Sequence, residues 1–157
     1  MSRRRKAVKR KITPDSRYSS VLVAKFINFV MEQGKKTVAE AIVYDAFDMM
    51  QEKGKKEDPL EAFVEAIAAV EPRLEVKSRR VGGATYQVPI DVEKGRANVL
   101  AIRWILAAVK KRKERTASAR LYSEVMDILS GRGNSLKTRE NTHKMAEANR
   151  AFAHYKW

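Results

Sequence analysis

Side chains that titrate near neutral pH are scarce in this sequence: two histidines, His143 and His154, and no cysteine in 157 residues. The histidines stand eleven residues apart, about three turns if the segment is helical. That spacing sets them on one polar face with Glu147 and Arg150 between them, too far apart to share a metal ion. They are expected to be exposed or to face a polar partner. Without thiolates there is neither a disulfide nor a sulfur-ligated metal site. Asp45 and Asp48 lie one helical turn apart on a charged surface and are expected to be solvated. Gly82-Gly83 is no phosphate-cradling loop, because no glycine-rich turn leads into a helix with Lys and Ser or Thr. No convergent set of groups with tuned proton affinities emerges. The sequence therefore predicts no enzyme, no cofactor, no metal and no small-molecule substrate.

The basic residues are better organised. Lys and Arg number 33 against 19 Asp and Glu, a formal charge of +14, with a pI near 10.1. Such an excess implies a polyanionic partner. The charge is uneven: Glu32 to Glu75 holds eleven acids and six bases, and the rest of the chain 27 bases and 8 acids. A polyanion is expected on the basic flanks, with the acidic block turned away or towards another partner. Arg96, Arg103 and Lys110 recur every seven residues. On a helix they line one side, drifting only ~20° per heptad. Lys111, Arg112, Lys113 and Arg115 extend that stripe into the following loop, a pattern suited to phosphate contacts that position a protein without reading sequence. Lys35 and Lys36 follow Gly34 between two helices, which sets two ammonium groups beside a helix N-terminus. Arg79, Arg80 and Tyr86 flank Gly82-Gly83, where arginine and tyrosine can stack on bases or sit on a nucleic-acid backbone.

These groups need elements to hold them. Residues 1–14 read as a basic tail, with Arg3, Arg4, Arg5, Lys6, Lys9, Arg10 and Lys11 ahead of Pro14. The tail has too few apolar residues to order itself without a polyanion. Residues 15–157 read as a single helical domain. The first helix runs from Ser19 or Ser20 to about Gln33, with Leu22, Phe26, Phe29 and Val30 as its buried stripe. The second opens on a capping box, Thr37 to Glu40, turns Ile42, Phe47 and Met49 inward and ends at Gly54. The third starts with Asp58 as N-cap and Pro59 at its first position, with Leu60, Phe63, Val64 and Ile67 on its core face. From about 73 to 90 the period changes to that of a β-hairpin turning at Gly82-Gly83. Leu74, Val76, Val88 and Ile90 lie at its base and its basic tip projects. A fourth helix spans about Arg96 to Lys113 with Leu100, Trp104 and Val109 apolar. A fifth spans about Thr116 to Ser130 with Leu121, Val125, Ile128 and Leu129 inward. After a flexible turn, Gly131 to Ser135, a sixth runs from about Thr138 to Tyr155 with Met145, Ala148, Phe152 and Tyr155 on one face. The predicted fold is mainly α: a six-helix bundle with one protruding β-hairpin arm and a basic N-terminal tail. No apolar run approaches the ~20 residues that span a bilayer. No apolar segment follows the charged N-terminus, so no secretory signal is expected.

Three segments carry a resemblance. Gly34-Lys35-Lys36 after Phe26-Ile27-Asn28, the hairpin Glu75 to Pro89 reading EVKSRRVGGATYQVP, and Ala146 to Trp157 reading AEANRAFAHYKW are similar to the bacterial form of small-subunit ribosomal protein seven. The likeness covers nearly the whole chain. It implies a structural protein that binds the 3′ major domain of the small-subunit rRNA and nucleates assembly of the subunit head. It also implies a position at the subunit interface, near exit-site tRNA and mRNA, with small-subunit ribosomal proteins nine and eleven as neighbours. In this sequence the family's rRNA-binding role falls on the tail, on Lys35-Lys36 and on the fourth helix with its following loop. Its tRNA and mRNA side falls on Arg79, Arg80, Gly82, Gly83 and Tyr86 of the hairpin and on Arg150, Tyr155 and Lys156 at the chain's end. The implied location is the ribosome, in the cytoplasm or in an organelle's stroma or matrix. An architectural DNA-binding protein with a β-ribbon arm is the alternative, but such arms carry an apolar or proline wedge, and this hairpin tip has none. An RNA-modifying enzyme lacks its cofactor loop and general base here. A membrane-surface protein lacks the apolar helix face that must accompany the basic one.

Overall fold

The computed structural model describes residues 10–54 and 57–156. Among them the chain forms α1 (Val21–Val30), α2 (Lys36–Glu52), α3 (Pro59–Val70), β1 (Leu74–Val81), β2 (Ala84–Asp91), α4 (Lys94–Lys111), α5 (Ala117–Leu129), α6 (Asn134–Ala148) and a 3₁₀ segment, Arg150–Tyr155. The mainly helical class and the single hairpin match the expectation. Helices α1 to α5 surround Phe26, Phe47 and Phe63, all fully buried. Phe63 meets Phe26 edge-on at 4.9 Å and Phe47 at 5.1 Å between ring centroids, arrangements that aromatic quadrupoles favour. Ile67, Ile102, Ile105 and Leu121 complete the centre.

The local chemistry of the helix ends follows the sequence in several places. Ser20 caps α1 by accepting from Val23 N–H, Asp58 caps α3 with Pro59 at N1, and Thr116 caps α5. The buried side of α1 is Val23, Phe26 and Ile27, one step round from the expected stripe, which leaves Phe29 at 39% exposure. In α2 and α3, Val43, Ala46, Met50 and Ala66 reach the centre instead of Ile42, Met49 and Val64. In α4 the small residues Ala97 and Ala101 let the helix close on its neighbours, and Leu100 and Trp104 are only half-buried. The capping box does not form. The chain reverses through Gln33 and Gly34, both at positive φ, and α2 begins at Lys36 with Lys35 at the N-cap and no side-chain cap.

The turn before α6 is tight rather than flexible. Gly131 and Arg132 donate to carbonyls of α5, and a Cβ on Gly133 would come 2.7 Å from Ile128 Cγ1. Helix α6 therefore starts four residues earlier than the spacing predicts. It also ends earlier, because the chain passes into the 3₁₀ segment after Ala148. A 3₁₀ turn holds about three residues, so the expected apolar stripe breaks after Ala148; within α6 itself Ala146 is buried and Met145 is 54% exposed.

The hairpin pairs Leu74 with Asp91 through Val81 with Ala84. Gly82 and Gly83 both have positive φ, 58° and 91°, as a two-residue turn of the mirror-image type requires. Ahead of α1, buried Asp15 accepts the amides of Arg17 and Tyr18 and the hydroxyl of Tyr44. Asp48 is not simply solvated, since the guanidinium of Arg17 grips it at 2.5 and 3.2 Å; Asp45 is exposed. No described helix is long and apolar enough to cross a membrane.

Candidate nucleic-acid interface

Arg96, Arg103 and Lys110 are all exposed along α4, as their seven-residue spacing predicts, but they differ in engagement. Arg96 Nε donates to both carboxylate oxygens of Glu75 at 2.8 and 2.9 Å. Glu75 itself is buried, so Arg96 ties the hairpin to α4. Lys110 meets Glu32 at 2.8 Å, and that hydrogen bond holds the Glu32 carboxyl below its ordinary value. Both side chains are 72% exposed; such surface pairs contribute little and exchange readily. The Arg103 guanidinium lies over the ring of Phe29, 5.9 Å from its centroid, a cation–π contact.

The loop between α4 and α5 separates two kinds of cation. Lys111, Lys113 and Arg115 are exposed and have no carboxylate partner among the described residues. Arg112 turns inward. Its Nε donates to Glu114 at 2.9 Å, and its Nη1 donates to Glu124 at 2.9 Å and Asp127 at 2.8 Å. Burial opposes the charge, but hydrogen bonds to Asp127, Glu114 and Glu124 hold the guanidinium well above its ordinary pKa. Glu124 is fully buried and also accepts the Ser135 amide and hydroxyl at 3.1 and 2.8 Å. Glu124 thus caps α6 from another helix, and Arg112 neutralises it. The expectation that Arg112 serves a phosphate gives way to a structural role: three carboxylates converge on its guanidinium, and a buried carboxylate such as Glu124 must be paired.

Lys35 and Lys36 are exposed at the uncapped start of α2. Lys36 reaches Glu40 at 3.5 Å, and no acid pairs with Lys35 among the described residues. Arg120, on the first turns of α5, was not singled out by the sequence. Its Nε donates to the Glu114 carbonyl at 2.6 Å, which brings it beside the α4–α5 loop. Only its proximity to that loop in sequence could have marked it.

The hairpin meets the C-terminal segment. Arg79 donates to the Tyr155 carbonyl. Tyr86, its cross-strand partner, packs on Phe152 at 5.2 Å and Tyr155 at 5.1 Å. Tyr86 is therefore engaged by the chain's own aromatics rather than offered to bases, because a half-apolar ring beside an apolar segment buries itself. Lys156 bonds Asp91 at 2.8 Å and lowers that carboxyl's pKa. Arg150 is exposed and pairs with Glu147 at 3.2 Å. Arg80, Gly82 and Gly83 stand exposed at the tip. The histidines part company. His143 Nε2 accepts the Arg73 amide at 3.1 Å, which joins α6 to the base of the arm, while His154 is exposed. Arg10 and Lys11 are exposed; Arg3, Arg4, Arg5, Lys6 and Lys9 lie outside the described residues.

A cationic surface on a helical body with a β-ribbon arm narrows the field, and similarity decides it. Residues 2–150 match the family described as Ribosomal protein S7p/S5e. The chain belongs to this family. Over all 157 residues, and over the full length of each relative, it is 56% identical to the small ribosomal subunit protein uS7 of Desulfotalea psychrophila. The corresponding values are 54% for the protein of that name in a Caulobacter species and 55% for the one in Desulfatibacillum aliphaticivorans. These relatives are named as parts of a ribosomal subunit, and the family is structural rather than enzymatic.

Proposed function

We propose that this chain binds small-subunit ribosomal RNA directly, through one face made of Lys35 and Lys36, the exposed edge of α4, and Lys111, Lys113 and Arg115. The carrying observation is that these cations lie on neighbouring elements while the acids nearby are either spent on Arg112 or held in two exchangeable surface pairs, Glu32 with Lys110 and Glu40 with Lys36. A surface of this kind attracts phosphates by counterion release. The names of the relatives supply the small ribosomal subunit, and the resemblance supplies its RNA as the partner and the finer reading. The target is the 3′ major domain, bound early so that the subunit head assembles around it. The tail from Arg3 to Lys11 adds phosphate contacts. The exposed hairpin tip, Arg80 with Gly82 and Gly83, faces exit-site tRNA and mRNA at the subunit interface, together with Arg150 and Lys156. Small-subunit ribosomal proteins nine and eleven are the proposed neighbours, and the ribosome in the cytoplasm the proposed location.

The test is equilibrium binding of the full chain to a naked transcript of the 3′ major domain and to duplex DNA of equal length, across a salt series. The transcript is expected to bind more tightly at every salt. Lys111→Ala, Lys113→Ala and Arg115→Ala together are expected to flatten the slope of log affinity against log salt by about one unit per residue. Equal affinity for DNA, or an unchanged slope in the triple variant, overturns the reading.

A further inference from the structure

Between the α1–α2 turn, α2, α4 and α5 lies an open groove of about 480 Å³. Its floor is apolar: Phe29, Val38, Ile42, Leu106 and Leu121 line it. Phe29 and Val38 leave 39% and 53% of their surface in solvent, unusual for large apolar side chains side by side. Its rim is cationic. Lys35, Lys110 and Arg120 border it, and Glu32, which also lines the groove, is engaged by Lys110. Arg103 stands over Phe29 at the edge. The groove therefore sits inside the cationic surface and is its one strongly apolar part among the described residues.

From this charge arrangement we infer that the groove seats an unpaired base of the rRNA, with the flanking phosphates held by Lys35, Lys110 and Arg120. This inference rests on the proposed rRNA-binding function and adds a subsite to it. The occupant must present an apolar, flat face to Phe29, Val38 and Leu106 and negative charge to the rim. An unstacked nucleotide does both, and single-stranded bases are commonly taken up on aromatic side chains beside arginine. A basic ribosomal-protein segment matches the floor but is repelled by the rim. At about 480 Å³ the open groove has room for a base with its ribose.

Two measurements on the full chain with the 3′ major-domain transcript test this. The first is methyl NMR of wild-type protein. The Val38 and Leu106 methyls, which would lie against the face of the base, are expected to move upfield on RNA binding, because a ring current shields protons above the ring. The second is affinity across a salt series for Phe29→Ala and, separately, Val38→Asn, both at exposed positions. Phe29→Ala is expected to weaken binding by about 5- to 150-fold, the loss typical of one base–aromatic contact, with the salt slope unchanged because no phosphate contact is lost. Val38→Asn is expected to weaken binding in the same sense. Tight wild-type binding with equally tight Phe29→Ala and Val38→Asn and unmoved methyls overturns the base seat alone. Equally weak binding of wild type and variants overturns both the seat and the proposed function. Methyl shifts that appear only when other small-subunit proteins are added, and not with RNA, overturn the base in favour of an apolar protein segment.

Discussion

The α4–α5 loop and the hairpin arm are both rich in arginine and lysine, yet the protein uses them differently. In the loop, one arginine of the cluster, Arg112, turns inward onto Glu124 and Asp127, and its neighbours Lys111, Lys113 and Arg115 are left to solvent. In the arm, Arg79, Tyr86, Lys156 and Asp91 join strand to C-terminal segment, and the tip is left open. The difference teaches that basic sequence marks a polyanion-binding region but not which of its cations are available. Availability depends on where carboxylates and carbonyls fall in three dimensions.

Four experiments sharpen or break this contrast. The largest effect belongs to Arg112. Arg112→Ala strands the fully buried Glu124, and removing one partner of a buried pair costs about 3–5 kcal/mol. Denaturant midpoints should fall accordingly, and Arg112→Lys should recover only part, since an ammonium cannot reproduce the guanidinium fork. A variant as stable as wild type would mean that the cluster is not the cap of α6. By contrast Arg115→Ala, three residues on, should change stability within about 0.5 kcal/mol and should show its effect in the salt slope of rRNA binding.

Next comes the joint between arm and C-terminus. Tyr86→Ala removes ring contacts worth about 0.5–1.5 kcal/mol beyond the buried area. Amide exchange should accelerate across Arg150 to Lys156 and in β2, with little change in α2 or α5; uniform exchange rates would show that the segment does not brace the arm. Shortening the tip, by replacing Arg80 to Thr85 with a two-residue turn, should do less still to stability, because Arg80, Gly82, Gly83, Ala84 and Thr85 are exposed. It should leave affinity for the rRNA transcript near wild type, and should speed dissociation of exit-site tRNA from reconstituted ribosomes. A large loss of rRNA affinity instead would make the tip an rRNA anchor.

The smallest effect is a pH dependence at His143. Burial, and then the nearby Arg139 and Arg73 charges, lower its pKa below the ordinary imidazole value. Only the neutral ring accepts the Arg73 amide. The folded-state pKa lies below the unfolded one, so the stabilisation is present in full above pH ~6.5. It fades as pH falls through the lowered folded value. Its size is a fraction of one hydrogen bond, about 0.5–1.5 kcal/mol. Chemical unfolding at pH about 7 and about 5 should show this slope in wild type and lose it in His143→Gln; identical slopes would remove His143 from the joint.

By itself the sequence determined the helical class, the hairpin with its Gly82-Gly83 turn, the caps at Ser20 and Asp58, and the exposed edge of α4. Each of these is set by contacts within a few residues: a side-chain oxygen on a nearby amide, a positive φ that glycine tolerates, a spacing of seven on a helix. The tertiary structure alone decided that Arg112 faces inward, that Glu124 caps α6 and brings its start forward to Asn134, that Tyr86 is engaged by Phe152 and Tyr155, and that Phe29 and Val38 frame a groove. These depend on residues distant in the sequence meeting in space, as Glu124 meets Ser135 eleven positions on and Arg73 meets His143 seventy positions on. Local spacing carries no information about such meetings. The energy of pairing a buried charge or covering an aromatic ring arises only once the chain has folded.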